Sequence, residues 1–169
     1  MEQEALVNGW FASRYQSLPG SAAEQLRLAS VSYADNAKAE MHLALAKVLA
    51  PNNVAVKVGE YRYYFYKGKL EQALSVAESC LQLTAQELRF PTQWRLVWPH
   101  HAQFQSEEPA HRFYLFCLKA YAYLLLRLNH IDQGREAVEK LLQLDPANKV
   151  GGQVLLDVLE RIGKDDYDD

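Results

Sequence analysis

Gly68-Lys69-Leu70-Glu71-Gln72-Ala73-Leu74, followed by Ala77, Cys80 and Leu83, lies in residues 54–87. Asn129-His130-Ile131-Asp132-Gln133-Gly134, followed by Val138, Leu141, Leu144, Asp145, Pro146 and Asn148, lies in residues 115–148. The two windows have the same length and can be laid over each other position for position. Each reads as a helix, a turn and a second helix. Gly68 and Asn129 stand where the first helix ends and the chain reverses, and both residue types tolerate a left-handed backbone. Five residues later come the small residues Ala73 and Gly134, on the turn that packs against the preceding helix. Repeats of about 34 residues stack into solenoids, because one helix pair cannot bury its apolar face alone.

A third window, residues 20–53, abuts the middle one. Its second helix places Ala39, Leu43, Ala46, Leu49 and Pro51 at the positions held by Gly134, Val138, Leu141, Leu144 and Pro146. Its first helix fits less well, with Arg27 and Ser30 where the pattern wants a small and an aromatic residue, so this copy is degenerate. Pro19-Gly20 opens it, and Ser21 with Glu24 three residues later predicts a capping box. Asp35-Asn36 marks its turn, and Pro51-Asn52-Asn53 ends it. Flanking helices are expected over 3–18, from Leu6, Val7, Trp10, Phe11 and Leu18, and over 152–162, from Val154, Leu155, Val158, Leu159 and Ile162. The latter spacing forms one apolar stripe suited to capping the array. Residues 1–163 thus read as one helical domain, and 164–169 as a flexible acidic tail.

The period and the residue pattern resemble the tetratricopeptide repeat. Tyr121-Ala122 falls where that family has its Leu-Gly pair, Gly134 at its signature alanine, and Leu144-Asp145-Pro146 at its typical ending. The middle window keeps Tyr64, Gly68, Ala73 and Ala77, with Tyr61 and Ala85 replacing the usual glycine and proline. The resemblance implies an all-α fold, a short right-handed superhelix of about three such helix pairs with flanking helices. It also implies a concave groove built mainly from the first helix of each pair. By register that groove receives Val58, Gly59, Arg62, Phe65 and Tyr66 from the middle repeat. The last repeat adds Phe116, Lys119, Ala120, Tyr123, Leu126 and Arg127. Tyr61 and Tyr64 are expected in the core. The partner-binding candidates are Arg62, Tyr66, Lys119, Tyr123 and Arg127, in a surface rich in the residue types of binding hot spots. The groove asparagines with which some members grip a C-terminal carboxylate are missing.

The windows are contiguous except at residues 88–114, which hold Phe90, Trp94, Trp98, His100, His101, Phe104 and Pro109. Long aromatic insertions either pack as structure or contact a ligand. Trp94 and Trp98, four apart, would share one face if 92–98 were helical, and they join the partner-binding candidates. Pro109 suits the first turn of a helix. His100-His101 lacks metal-ligand spacing, so no metal and no cofactor is expected. Glu107-Glu108 and Asp165-Asp166 sit in no pattern for acid–base chemistry, and no nucleophile motif or phosphate loop is present.

A net charge of −3 disfavours nucleic acid as partner. The longest apolar run, 120–126, is far too short to cross a membrane. Cys80 and Cys117 lie in apolar helical patterns and read as buried thiols. With an acidic start, Met1-Glu2-Gln3-Glu4, the expected compartment is the cytoplasm. The expected function is non-enzymatic protein–protein interaction, adaptor or chaperone-like, with a peptide or partner protein in the groove. The alternatives are an obligate homo-oligomer or assembly subunit, and an enzyme or metal-binding protein using residues 88–114.

Overall fold

The computed structural model describes residues 16–165, and among them it is all-helical, with no strand. Seven α-helices follow one another: α1 (Gly20–Val31), α2 (Asn36–Leu49), α3 (Val54–Tyr66), α4 (Leu70–Leu88), α5 (Pro109–Arg127), α6 (Ile131–Leu144) and α7 (Gln153–Asp165). Two short 3₁₀ turns, Trp94–Leu96 and Pro99–His101, lie between α4 and α5. Each α-helix packs on the next. All but residues 16–18 of the helix expected over 3–18, and the end of the acidic tail, lie outside the described residues.

The two strong windows turn in the same way. Gly68 and Asn129 have φ of 73° and 63°. In one turn Lys69 N–H donates to the Tyr64 carbonyl and Gly68 N–H to that of Phe65, at 2.8 and 3.0 Å. In the other, His130 donates to Leu125 and Asn129 to Leu126, at 2.8 and 3.1 Å. Both are Schellman closures, which satisfy carbonyls left over at a helix end. The first window turns differently. Its corresponding residue, Ala34, does not take a positive φ, and Asp35 caps α2 by accepting from Lys38 N–H. The Ser21–Glu24 capping box does not form. α1 starts at Gly20 without a side-chain cap, and Glu24 instead receives both Nε and a terminal nitrogen of Arg27. A two-pronged guanidinium pair holds that carboxylate away from the backbone.

Small residues set the helix spacing. A Cβ added to Gly134 would lie 2.5 Å from Leu126 Cδ2, so α6 sits closer to α5 than any larger side chain allows. Ala39, Ala73 and Ala77 do the same for their pairs and are buried. The main core runs from α3 through α7, with Tyr114, Leu115, Leu118, Leu124 and Leu125 of α5 at its centre. Leu155 and Leu159 of α7 close its end, whereas Val154, expected in the same stripe, is exposed. α3 is covered nearly all round, so that even Lys57 and Glu60 are buried, paired at 3.6 Å.

A concave face lined by the first helices

Two cavities open on one side of the molecule. The first, about 280 Å³, is enclosed by Val58, Tyr61, Phe65, Phe113 and Phe116, with Cys80 and Cys117 among its lining residues. The second, about 490 Å³, lies between α1 and α3 and includes Leu26, Ser30, Tyr33, Gly59 and Tyr63. Val58, Arg62 and Tyr66 belong to both cavities. The two are therefore halves of one groove that crosses α1, α3 and α5, the first helix of each pair.

Of the residues that the register assigned to the groove, Val58, Arg62, Phe65, Tyr66, Phe116 and Ala120 line the first cavity. Tyr66 is the most exposed aromatic of the face. Tyr123 and Arg127 stand beside it: Tyr123 lies 6.3 Å from the Phe65 ring, and Arg127 donates to the Tyr123 hydroxyl at 2.7 Å. Lys119 is different, because its ammonium donates to the Val150 carbonyl at 2.9 Å and so ties α5 to the segment before α7. The segment leading into α7 takes up that cation. Tyr61, expected in the core, packs against it but also walls the first cavity, its ring stacked on Phe65 at 5.7 Å. Tyr63 is the buried one of the cluster. The α1 contribution escaped the register reading because the first repeat is degenerate, although its offset from the middle window was available.

The insertion lies elsewhere. Residues 92–98 are not one helix, so the two tryptophans share no face. Trp94, 5% exposed, packs edge-on against Tyr121 at 6.0 Å, and Val97 is buried beside it. Trp98 is 43% exposed, with the Lys140 ammonium 3.7 Å above its ring. That ammonium also donates to the Val97 carbonyl, and Arg95 pairs with Glu136 at 2.8 Å. Phe90, Phe104 and Tyr114 form a second aromatic cluster. The part of the segment before α5 is thus strapped to α6, a second helix, and lines neither cavity; of residues 88–114 only Phe113, already on α5, reaches the first one. Pro109 does begin α5, as expected. His101 Nδ1 accepts from Trp98 N–H, and among the described residues no three His, Cys, Asp or Glu side chains group as metal ligands. No described helix is long and apolar enough to cross a membrane.

Burial pushes the Cys117 thiol well above its ordinary range, helped by a hydrogen bond to Cys80. Burial also raises Tyr61 to about 12, with Cys117 and Tyr123 adding to the effect. Tyr63 rises to about 12 through burial and then the Glu40 charge. The unfolded chain would ionise the thiol from about 8.5 and the tyrosines from about 10. These groups therefore leave stability unchanged below that range and remove it as pH climbs towards about 12. Denaturant midpoints measured across this window should fall steadily, with tyrosinate absorbance lagging until the chain unfolds. A flat midpoint through pH 11 or so would contradict the burial of these phenols.

Among curated proteins, the chain is 37% identical over 133 residues to an uncharacterized 19.8 kDa protein in the nifW 5′ region of Azotobacter chroococcum mcd 1. The match covers 78% of this chain and 74% of that protein. No family model and no solved structure matches.

Proposed function

We propose that this chain, which belongs to the same family as the Azotobacter chroococcum protein, is a non-enzymatic protein-interaction module. In this reading it is a short right-handed superhelix of three tetratricopeptide-like helix pairs that holds a peptide or partner protein in its concave groove. The observation that supports it is that two adjoining cavities, one towards α1 and one towards α5, share Val58, Arg62 and Tyr66 of α3, so that together they cross the first helices of successive pairs. Such a surface offers apolar pockets for anchoring side chains and a rim of tyrosine and arginine, the composition of a binding hot spot.

Affinity purification of the tagged chain, with mass spectrometry of what it retains, supplies the partner; calorimetry then measures the affinity. Ala120→Trp should fill the first cavity and weaken binding about 100-fold, as loss of a buried anchor does. Ala120 is only partly buried, so helical content and thermal midpoint should stay near those of the parent. Unchanged affinity for the recovered partner in the folded variant would refute the groove reading.

A further inference from the structure

The described chain begins beside the groove. Leu18 is buried with Ala22 of α1, with Ala46 and Ala50 at the end of α2, and with Ala55 and Val56 of α3. Ala55 also lines the second cavity, and Val58, about one turn further along α3, lines both. Residues 1–15 therefore join the fold next to the groove lining. A chain advances about 1.5 Å per residue in a helix and about 3.3–3.6 Å when extended. Packed helices lie about 8–10 Å apart. Phe11 and Trp10, seven and eight residues before Leu18, thus reach across at least one helix spacing in either form.

The chemistry matches as well as the reach. Residues 1–15 hold Leu6, Val7, Trp10, Phe11 and Tyr15, and their charged side chains are Glu2, Glu4 and Arg14. The groove lining is apolar and aromatic, and its charged members are Arg27 and Arg62, with no acid among the described residues. The nearby carboxylates are engaged, Glu24 with Arg27 and Glu40 with Lys69. Lys67 adds a further cation, 3.9 Å from the centre of the Tyr33 ring. The exposed side of α2, with Met41 and Val48 between Lys38 and Lys47, is the other apolar surface near Leu18. It lines neither cavity, because α2 reaches the groove only through the buried Leu43. The cavities decide between the two surfaces, since large aromatic side chains gain most where they fill enclosed space. We propose that the chain's own residues 1–15 occupy the groove when no partner is bound, with Trp10 and Phe11 at the first cavity. This rests on the groove being a docking site and gives that site a regulation. A partner has to displace a tethered occupant whose effective concentration is on the order of millimolar.

The full chain carrying photoreactive benzoylphenylalanine in place of Phe11 should cross-link within one molecule on irradiation. Mass spectrometry of its peptides should place the link on α3 or α5, among the residues that line the first cavity. Ala120→Trp in the same chain fills that cavity and should lower the yield several-fold, with circular dichroism unchanged. Links to Met41, Leu45 or Val48 would put the segment on the outer side of α2 and overturn the proposal. So would links between two molecules, the absence of any link, or a yield that Ala120→Trp leaves unaltered. None of these readouts needs a partner, so their failure leaves the docking reading standing, and that reading fails separately in the calorimetry of the recovered partner. Where a partner is in hand, Trp10→Ala combined with Phe11→Ala should tighten its binding about tenfold, by removing the competing occupant. Unchanged affinity in that variant would overturn the regulatory role.

Discussion

Asp145→Ala should lower the unfolding free energy by about 3–5 kcal/mol, the cost of leaving a buried charge without its partner. Asp145 ends the last repeat and is fully buried, 3.8 Å from the terminal nitrogen of an equally buried Arg112. Its two oxygens also accept the backbone N–H groups of Lys149 and Val150, at 3.1 and 2.9 Å. The carboxylate therefore shapes the turn into α7 as well as balancing the arginine. Arg112 needs that balance: Nε donates to the Ser106 carbonyl at 3.0 Å, but neither terminal nitrogen has a hydrogen-bond acceptor. Burial pulls its pKa down, and the Asp145 charge opposes that pull. Arg112→Met should be much milder, because it removes the charge that is expensive to bury and keeps an unbranched apolar stem. Asp145 would still hold its two backbone donors. Urea denaturation of both variants decides the matter. Equal losses, or a worse outcome for Arg112→Met, would mean that the arginine acts through packing or Ser106 rather than through its charge.

Trp94→Ala should cost about 3–5 kcal/mol, as truncation of a buried aromatic does. Its ring fills space against Tyr121, and the Arg95 guanidinium lies 4.4 Å from its centroid on the outer side. Trp98→Ala should cost about 1 kcal/mol or less, since what it loses is chiefly the Lys140 ammonium over a half-exposed ring. On the proposed function, neither change should alter the affinity of the groove for a recovered partner when measured well below the unfolding transition. The contrast separates scaffold from surface within one segment. If Trp98→Ala weakened partner binding while leaving stability intact, the insertion would have a contact role outside the concave face.

These two tryptophans show where sequence reading stopped. Their spacing of four suggested a shared helical face, yet the segment folds as two separate 3₁₀ turns. Their roles were settled by Tyr121, on α5, and Lys140, on α6, which periodicity within the insertion could not reveal. Lys119 is a similar case. Its register on the first helix pointed to the groove, but it lines neither cavity, and the carbonyl that takes its ammonium belongs to Val150, 31 residues away. Tyr61 packs against the core but also walls a cavity, because α3 has neighbours on several sides and an apolar pattern all round a helix does not say which side holds a cavity.

What residue identity carried was local. Gly68 and Asn129 announced left-handed turns, Gly134 and Ala73 close helix approach, Pro109 a helix start, and the equal length of the two windows their equivalence. Each depends on backbone sterics within a few residues, so the chain itself contains the whole cause. The groove, the buried Arg112–Asp145 pair and the strapped insertion depend on which side chains meet after distant helices have packed. Those meetings follow from helix spacing and crossing, which arise from the summed fit of many buried surfaces rather than from any single motif.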